Sequence, residues 1–332
     1  MTKSDRIAVI GGGSWATAIV KILENNCKHI HWWIREQEII ENIQKYHHNP
    51  HFLSIVELPV SKLILSNDMN EIIKKSDILI FCIPAAFLED ALKNIDKNIL
   101  KNKIIVSAIK GIVPSHSLSV TQFFKEYFNI KDEQIALISG PSHAEEVSAE
   151  KLTYLTIAST NDEVIQRLQP KITCRFIKTT TSNDVLGIEF STVLKNIMSL
   201  AAGICIGLDY GDNFIAVLVA NGIKEIKQFI KTVHPIERNI CESAYTGDLL
   251  VTAYSKFSRN RVFGNMLGRG YSVNSAKLEM NMIAEGYYAV KGIKEINKKY
   301  NVSMPITDAV YNILYENIAP VIEIKILSEK LS

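Results

Sequence analysis

The stretch Ile7-Ala-Val-Ile-Gly11-Gly12-Gly13-Ser14-Trp15-Ala16-Thr17-Ala18 decides the fold. A short apolar run enters a G-x-G-x-x-A turn and leaves it into helix-forming residues. Gly11 permits the tight turn, Gly13 lets backbone approach a pyrophosphate, and Ala16 is small enough for helix and strand to pack closely. The helix N-terminus adds unpaired N–H groups and the positive end of its dipole. A glycine pattern alone is a weak signal; this one gains weight from the strand before it and the second strand after it.

Working outward, short apolar runs rich in β-branched residues alternate with amphipathic stretches. Strands are predicted at 7–10, 30–34, 63–65, 78–83, 104–108, 135–139, 154–158 and 175–177, and helices at 15–24, 37–45, 87–95, 117–128 and 162–168. That alternation predicts a doubly wound, Rossmann-like α/β domain over residues 1–183. Beyond it the period becomes helical, at 185–207, 213–230 and in shorter segments to the end, which predicts an all-α domain over residues 184–332. The polar run Thr179-Thr180-Thr181-Ser182-Asn183-Asp184 reads as the linker and as an N-cap for the helix that follows.

Composition agrees with two domains. The chain has 332 residues, 47% hydrophobic and 22% charged, which excludes disordered, collagen-like and disulfide-scaffold classes. A formal charge of +2 gives no bulk reason to expect nucleic acid or a membrane surface as partner. Cys27, Cys82, Cys174, Cys205 and Cys241 form no C-x-x-C pair, and the first residues show no signal-peptide apolar region, so a reducing, cytoplasmic setting is expected. The apolar stretch 190–208 carries Lys195 well inside it, which argues against stable membrane insertion.

Several residues have chemistry suited to a site. Arg35-Glu36 closes the second strand, where dinucleotide folds read the ribose 2′ position; Arg35 favours NADP(H) and Glu36 leaves NAD(H) open. Lys110 follows another strand, at the edge where such sheets bind ligands, though a surface lysine at a turn explains it equally well. Ser139-Gly140-Pro141-Ser142-His143-Ala144-Glu145-Glu146 is again strand, glycine turn and helix start, with Ser142 as the expected N-cap. Lys195, the one charge between 190 and 208, would have a lowered pKa if buried and could then protonate a developing alkoxide. A lysine that snorkels its stem along apolar surface is the competing reading. Asp248 and Ser258-Arg259-Asn260-Arg261 gather groups that could act on a ligand, Arg for bidentate phosphate binding, Ser and Asn as donors and Asp248 as acceptor from substrate hydroxyls, or they form a solvated loop. His47-His48-Asn49-Pro50-His51 resembles a metal cluster by composition but reads as a loop, and no metal is expected.

Taken together, the ordered set Gly11-Gly-Gly-Ser-Trp-Ala-Thr-Ala, Ala108-Ile-Lys-Gly, Ser139-Gly-Pro-Ser-His-Ala-Glu-Glu-Val, Leu194-Lys-Asn-Ile, Gly247-Asp-Leu, Ser258-Arg-Asn-Arg, Ala284-Glu-Gly-Tyr and Met304-Pro-Ile-Thr resembles the bacterial-type NAD(P)-dependent glycerol-3-phosphate dehydrogenases, nearly end to end. The resemblance implies reversible hydride transfer between NAD(P)H and dihydroxyacetone phosphate, giving sn-glycerol 3-phosphate for glycerophospholipid synthesis. It makes Lys195 the proton-transfer residue. It places Gly11, Gly13, Ser14, Trp15, Arg35, Lys110, Ala144, Arg259, Ile283 and Glu285 at cofactor positions. Lys110, Gly140, Ser142, Lys195, Asp248, Ser258, Arg259 and Asn260 fall at substrate positions, with Asn196 and Thr252 as weaker candidates. Two departures stand out: Ile34 replaces the family's glycine before its 2′-reading residue, and Ala244-Tyr-Thr-Gly-Asp248 lacks the usual Gly-Leu, which suggests a different loop path. The alternatives are a related two-domain reductase of a hydroxy acid and a non-catalytic NAD(P)H redox sensor. A helical half with several apolar faces is compatible with a homodimer.

Overall fold

The computed structural model describes residues 5–280 and 284–332. They group into two compact units. One takes the chain through Ile83, with residues 87–109 and 120–185; the other takes 84–86, 110–119 and 186–332.

The first unit is built on strands β1 (Ile7–Ile10), β2 (Ile30–Trp33), β3 (Leu63–Ser66), β4 (Ile78–Phe81), β5 (Ile104–Ser107), β8 (Ile135–Ser139), β9 (Thr153–Ala158) and β10 (Ile177–Ser182); β6 (Ile112–Val113) and β7 (Leu118–Ser119) belong to the second unit. The sheet order is β10-β9-β8-β5-β4-β1-β2-β3. Every neighbouring pair is parallel except β8 with β9. β1, β2, β4 and β5 are buried along their whole length, as expected of strands covered by helices on both faces. The chain winds outward from β1 to β2 and β3 on one side, then returns to β4 and winds the other way. The strand order therefore reverses between β1 and β4, and it is at such a reversal that an open sheet leaves a crevice beyond its carboxyl ends.

The expected linker at 179–184 is instead largely strand. β10 runs from Ile177 to Ser182, paired in parallel with β9, where a strand had been expected only at 175–177. Threonine is β-branched and suits a pleated surface, and at a sheet edge its hydroxyl faces water or a neighbour. Thr180 Oγ1 pairs with Thr156 Oγ1 at 2.9 Å, and Thr179 Oγ1 accepts from Gln169 Nε2 at 3.1 Å. Polarity suggested a loop, but the β-branched residues decide the conformation.

Among the described residues, the second unit is helical apart from the antiparallel hairpin β6–β7 and its connecting loops. The expected boundary at 183/184 assigns residues 84–86 and 110–119 to the first domain, whereas both stretches pack with the helices. Gly292 admits Ile112 of β6 so closely that a Cβ there would meet its Cγ2 at 2.5 Å. The helix Val185–Gly207 is long and apolar enough to cross a membrane by length and composition. It is apolar on all sides because it is the core of this unit: Gly187 through Cys205 are all buried.

That core helix meets the helix Arg259–Gly268 through glycine on both sides. A Cβ on Gly203 would strike the Arg261 carbonyl, on Gly207 that of Asn265, on Gly264 that of Leu200, and on Gly268 that of Ile204. Two backbones lie in direct contact, and no side chain can shift to make room. Gly264→Ala should therefore cost about 2–3 kcal/mol of stability or more, because the obstacle is backbone. Gly211→Ala, whose Cβ would meet nothing within 4 Å, should stay within about 1 kcal/mol. Thermal denaturation of the two variants of the full chain checks both values.

Candidate active site

In the first unit, β1 ends at Ile10 and the chain turns at Gly11, whose φ of +133° is a conformation side chains rarely adopt. A Cβ there would also meet the backbone carbon and oxygen of Cys82, just beyond β4, at 3.0 Å. Gly11 is thus required twice over, by conformation and by the neighbouring strand. At Gly13 a Cβ would meet nothing within 4 Å, so that face of the turn is open. Gly13 is the N-cap of the helix Ser14–Leu23, and no side chain caps it. The indole Nε1 of Trp15 is buried without a hydrogen-bond partner among the described residues. An uncapped helix start, an open glycine face and an orphaned donor fit a dinucleotide pyrophosphate.

Arg35 follows β2 and is 74% exposed; its Nε and a terminal nitrogen donate to Glu36 Oε1 at 2.7 and 2.5 Å. Glu36 in turn is the N-cap of the helix Gln37–Tyr46. Ile34, the departure from the family pattern, is fully buried, and its Cγ2 lies 3.0 Å from where a Cβ on Gly12 would be. It packs under the turn and leaves Arg35 at the surface.

Gly140 follows β8 with a φ of +117°, and a Cβ on it would meet the Tyr154 carbonyl oxygen at 2.8 Å. Ser142 is not the N-cap expected of it. His143 takes that position for the helix Ala144–Ser148, without a side-chain cap, while Ser142 Oγ donates to the Gly140 carbonyl at 3.0 Å. The hydroxyl stabilises the tight turn rather than the helix, as hydroxyls in turns commonly bond a nearby backbone carbonyl.

The second unit holds the other group of expected residues. Lys195, at 4% exposure, sits midway along the core helix and does not snorkel to solvent. Its Nζ donates to Asp248 Oδ1 at 2.5 Å and to Thr252 Oγ1 at 2.8 Å. Asp248, at 1% exposure, also accepts from Lys110 Nζ at 3.3 and 3.2 Å. Burial favours the neutral amine and pulls Lys195 down to about 7; the Asp248 charge opposes this and the Lys110 charge assists it. Two lysines thus share one carboxylate, with the buried one able to gain or lose its proton near neutrality.

Asp248 owes its position to an unusual approach. Residues Ser243–Gly247 form a π-helical turn that runs directly into the helix Asp248–Tyr254, with Asp248 as its first residue. The altered sequence before Gly247 corresponds to this turn, and its wider winding is a form that recurs at functional sites. Thr252 lies one helical turn on, its hydroxyl donating to the Asp248 carbonyl at 2.6 Å, so its lone pairs face Lys195. Asn196 donates to the Lys110 carbonyl at 2.7 Å and so fixes the backbone of that lysine.

Ser258 is the N-cap of the helix Arg259–Gly268, accepting from the Arg261 N–H at 3.3 Å, and its hydroxyl also pairs with Ser199 Oγ at 2.8 Å. Both contacts are structural and the residue is buried. Arg259, the first helical residue, is exposed. Asn260 Oδ1 accepts from the Gly286 N–H at 2.9 Å, which ties this helix to the helix Glu285–Tyr300. Glu285 Oε1 accepts from the Ala85 N–H at 3.0 Å, while Oε2 is buried with no partner among the described residues. Burial pushes its carboxyl up to about 7 against the opposing charge of Arg259. Sequence reasoning gave no hint of that environment, since a glutamate at a helix start is ordinarily a solvated dipole partner. Ser199, a contact of Ser258 and of the Thr252 carbonyl, was also missed; its only signal was its place one turn beyond Lys195 on the same apolar helix. Ile283, expected at the cofactor, lies outside the described residues.

Residues 6–165 match the family described as NAD-dependent glycerol-3-phosphate dehydrogenase N-terminus, and residues 184–325 match its C-terminus. A glycerol-3-phosphate dehydrogenase [NAD(P)+] of Bacillus pumilus is 37% identical over 312 residues, covering 94% of this chain and 90% of the relative. That of Bacillus subtilis is 33% identical, covering 93% and 90%. Among solved structures, glycerol-3-phosphate dehydrogenase from Coxiella burnetii superposes with a TM-score of 0.91 at 26% identity, covering 98% of this chain and 99% of that one. A ketopantoate reductase from Ralstonia eutropha, at 12% identity and a TM-score of 0.60, shares the fold alone. With its paired glycine turn and buried lysine–aspartate centre, the chain belongs to the NAD-dependent glycerol-3-phosphate dehydrogenase family.

Proposed function

We propose that this protein reduces dihydroxyacetone phosphate reversibly to sn-glycerol 3-phosphate, with NAD(P)H as hydride donor and glycerophospholipid synthesis as the use of the product. The observation that carries the reading is the buried Lys195–Asp248 pair, with the amine down to about 7. Reduction of a ketone leaves an alkoxide, and a group that titrates near neutrality can protonate it and be recharged within each turnover. In the reverse direction the neutral amine accepts the hydroxyl proton.

The other residues have roles that follow from their chemistry. Asp248 keeps a share of Lys195 charged and orients it, while Thr252 accepts a second hydrogen bond from the amine. Lys110 and Arg259 are cations for the substrate phosphate dianion, Ser258 and Asn260 hold the Arg259 helix in place, and Gly140 and Ser142 are further substrate positions. The nicotinamide, when bound, supplies or receives the hydride. Gly11, Gly13, Ser14 and Trp15 suit its pyrophosphate, with Ala144, Lys110, Arg259 and Glu285 as further cofactor positions. Exposed Arg35 supports NADP(H): a 2′-phosphate would compete with Glu36 for the guanidinium, whereas a 2′-hydroxyl would turn to the Glu36 carboxylate.

The direct test follows loss of reduced-nicotinamide absorbance with dihydroxyacetone phosphate, using NADPH and NADH side by side and unphosphorylated dihydroxyacetone as control. Oxidation that depends on the phosphate is expected, faster with NADPH. Cofactor binding without oxidation would overturn the reading.

Lys195→Ala should lower turnover by about three or more powers of ten with the affinity for NAD(P)H almost unchanged, since the amine acts chiefly in the transition state. In the unsubstituted enzyme, reduction needs the ammonium, so its rate should fall as pH rises through about 7, and glycerol 3-phosphate oxidation should rise through the same range. Steady-state rates in both directions across pH 5.5 to 9 read both limbs, on the order of one proton each. Arg259→Ala should raise the KM for dihydroxyacetone phosphate about ten-fold or more, through loss of a charge-assisted contact; initial rates at saturating cofactor measure it.

A further inference from the structure

Three successive carbonyls of the glycine turn are each held by a buried side-chain donor. Trp32 Nε1 donates to the Gly11 carbonyl at 2.7 Å, Asn49 Nδ2 to that of Gly12 at 3.0 Å, and Thr17 Oγ1 to that of Gly13 at 3.1 Å. The donors come from β2, from the His47-His48-Asn49-Pro50-His51 loop and from the helix that follows the turn, and all three residues are fully buried. Asn49 is saturated: Nδ2 also donates to Thr17 Oγ1 at 3.1 Å, and Oδ1 accepts from the His51 and Phe52 N–H groups at 3.2 Å each. The Thr17 hydroxyl accepts from Asn49 and donates to Gly13, so the loop and the helix hold the turn through one connected network.

In a trans peptide the C=O of one residue and the N–H of the next point in opposite directions, and there is no cis bond among the described residues. Anchoring the carbonyls of residues 11, 12 and 13 therefore turns the N–H groups of residues 12, 13 and 14 the other way. No described residue accepts from those three N–H groups. A run of three glycines is otherwise the softest backbone a chain can have, and freezing it on binding would cost conformational entropy.

We infer that Trp32, Asn49 and Thr17 are positioning residues for the cofactor's pyrophosphate: they lock the carbonyl side of the turn toward the core so that its N–H side is preset to receive an anion. The inference rests on the reading of this turn as the dinucleotide site. It gives the histidine-rich loop a purpose in which no metal takes part, with Asn49 as its working residue. It also explains why a buried tryptophan stands on β2, since the indole is a donor that a phenylalanine of similar size would lack.

The test is titration of the full-length protein with ADP-ribose, which carries the pyrophosphate and requires no turnover. Thr17→Val keeps the shape and removes the hydroxyl, Thr17→Ser keeps the hydroxyl, and Asn49→Ala removes the Gly12 anchor. Thr17→Val and Asn49→Ala should each weaken ADP-ribose binding about ten-fold, while Thr17→Ser restores it to within about two-fold. Where the reaction runs, the KM for NAD(P)H should rise in parallel and the KM for dihydroxyacetone phosphate should not. Thr17→Val and Thr17→Ser binding alike, or an equal rise in both KM values, would overturn the lock. Unsubstituted protein that binds ADP-ribose yet oxidises no NAD(P)H would sink the proposed reaction and leave the lock tested by the titration; failure of that protein to bind ADP-ribose would sink both.

Discussion

An ammonium group in the middle of an apolar core helix must find a counter-charge or give up its proton, and the helical unit is arranged around that requirement. Lys195 does some of each. Asp248 is brought within 2.5 Å of it, yet burial still draws the amine down to about 7. The π-helical turn before Asp248, the Thr252 hydroxyl one turn after it and the Ser199 hydroxyl one turn beyond Lys195 all serve to place a short helix against the middle of a long one. A stronger ion pair would keep the lysine permanently charged, and a more hydrophobic surrounding would leave it permanently neutral. Neither could exchange a proton in both directions at neutral pH.

Much of the first unit was legible from local chemistry. Continuous apolar runs such as Ile7–Ile10 and Ile78–Phe81 admit few alternatives to buried parallel strands, and the glycine turn can only follow one of them. What escaped was decided by tertiary position. The Thr-rich run at Ile177–Ser182 is a strand because β9 offers it an edge to pair with, and polarity alone could not show that. The short hairpin β6–β7 has two residues in each strand, too few for any periodicity to register.

The same division holds at the site. Lys195 was visible because one charge in an apolar helix is improbable unless something answers it. Ser142 was assigned to a helix cap on pattern, but its hydroxyl serves the Gly140 turn, since hydroxyls commonly bond the nearest carbonyl in a tight turn. The resemblance marks Glu285 as a cofactor position, but its burial and its orphaned oxygen depend on Ala85, two hundred residues away in the chain, and no local pattern carries them. Sequence shows which side chains have the right chemistry; only the packing shows which of their atoms remain available.

The four glycines shared by the core helix and the Arg259–Gly268 helix have an architectural consequence. Where helices touch through side chains, their spacing tracks the volume of whatever residues fill the gap, and every exchange in the core moves one against the other. Here the spacing is set by the thickness of two peptide backbones, which no substitution elsewhere can alter. The separation between the helix that carries Lys195 and the helix that begins with Arg259 is thus a fixed length. The surrounding hydrophobic residues can drift in size and shape without changing the tolerance to which the chemistry is built.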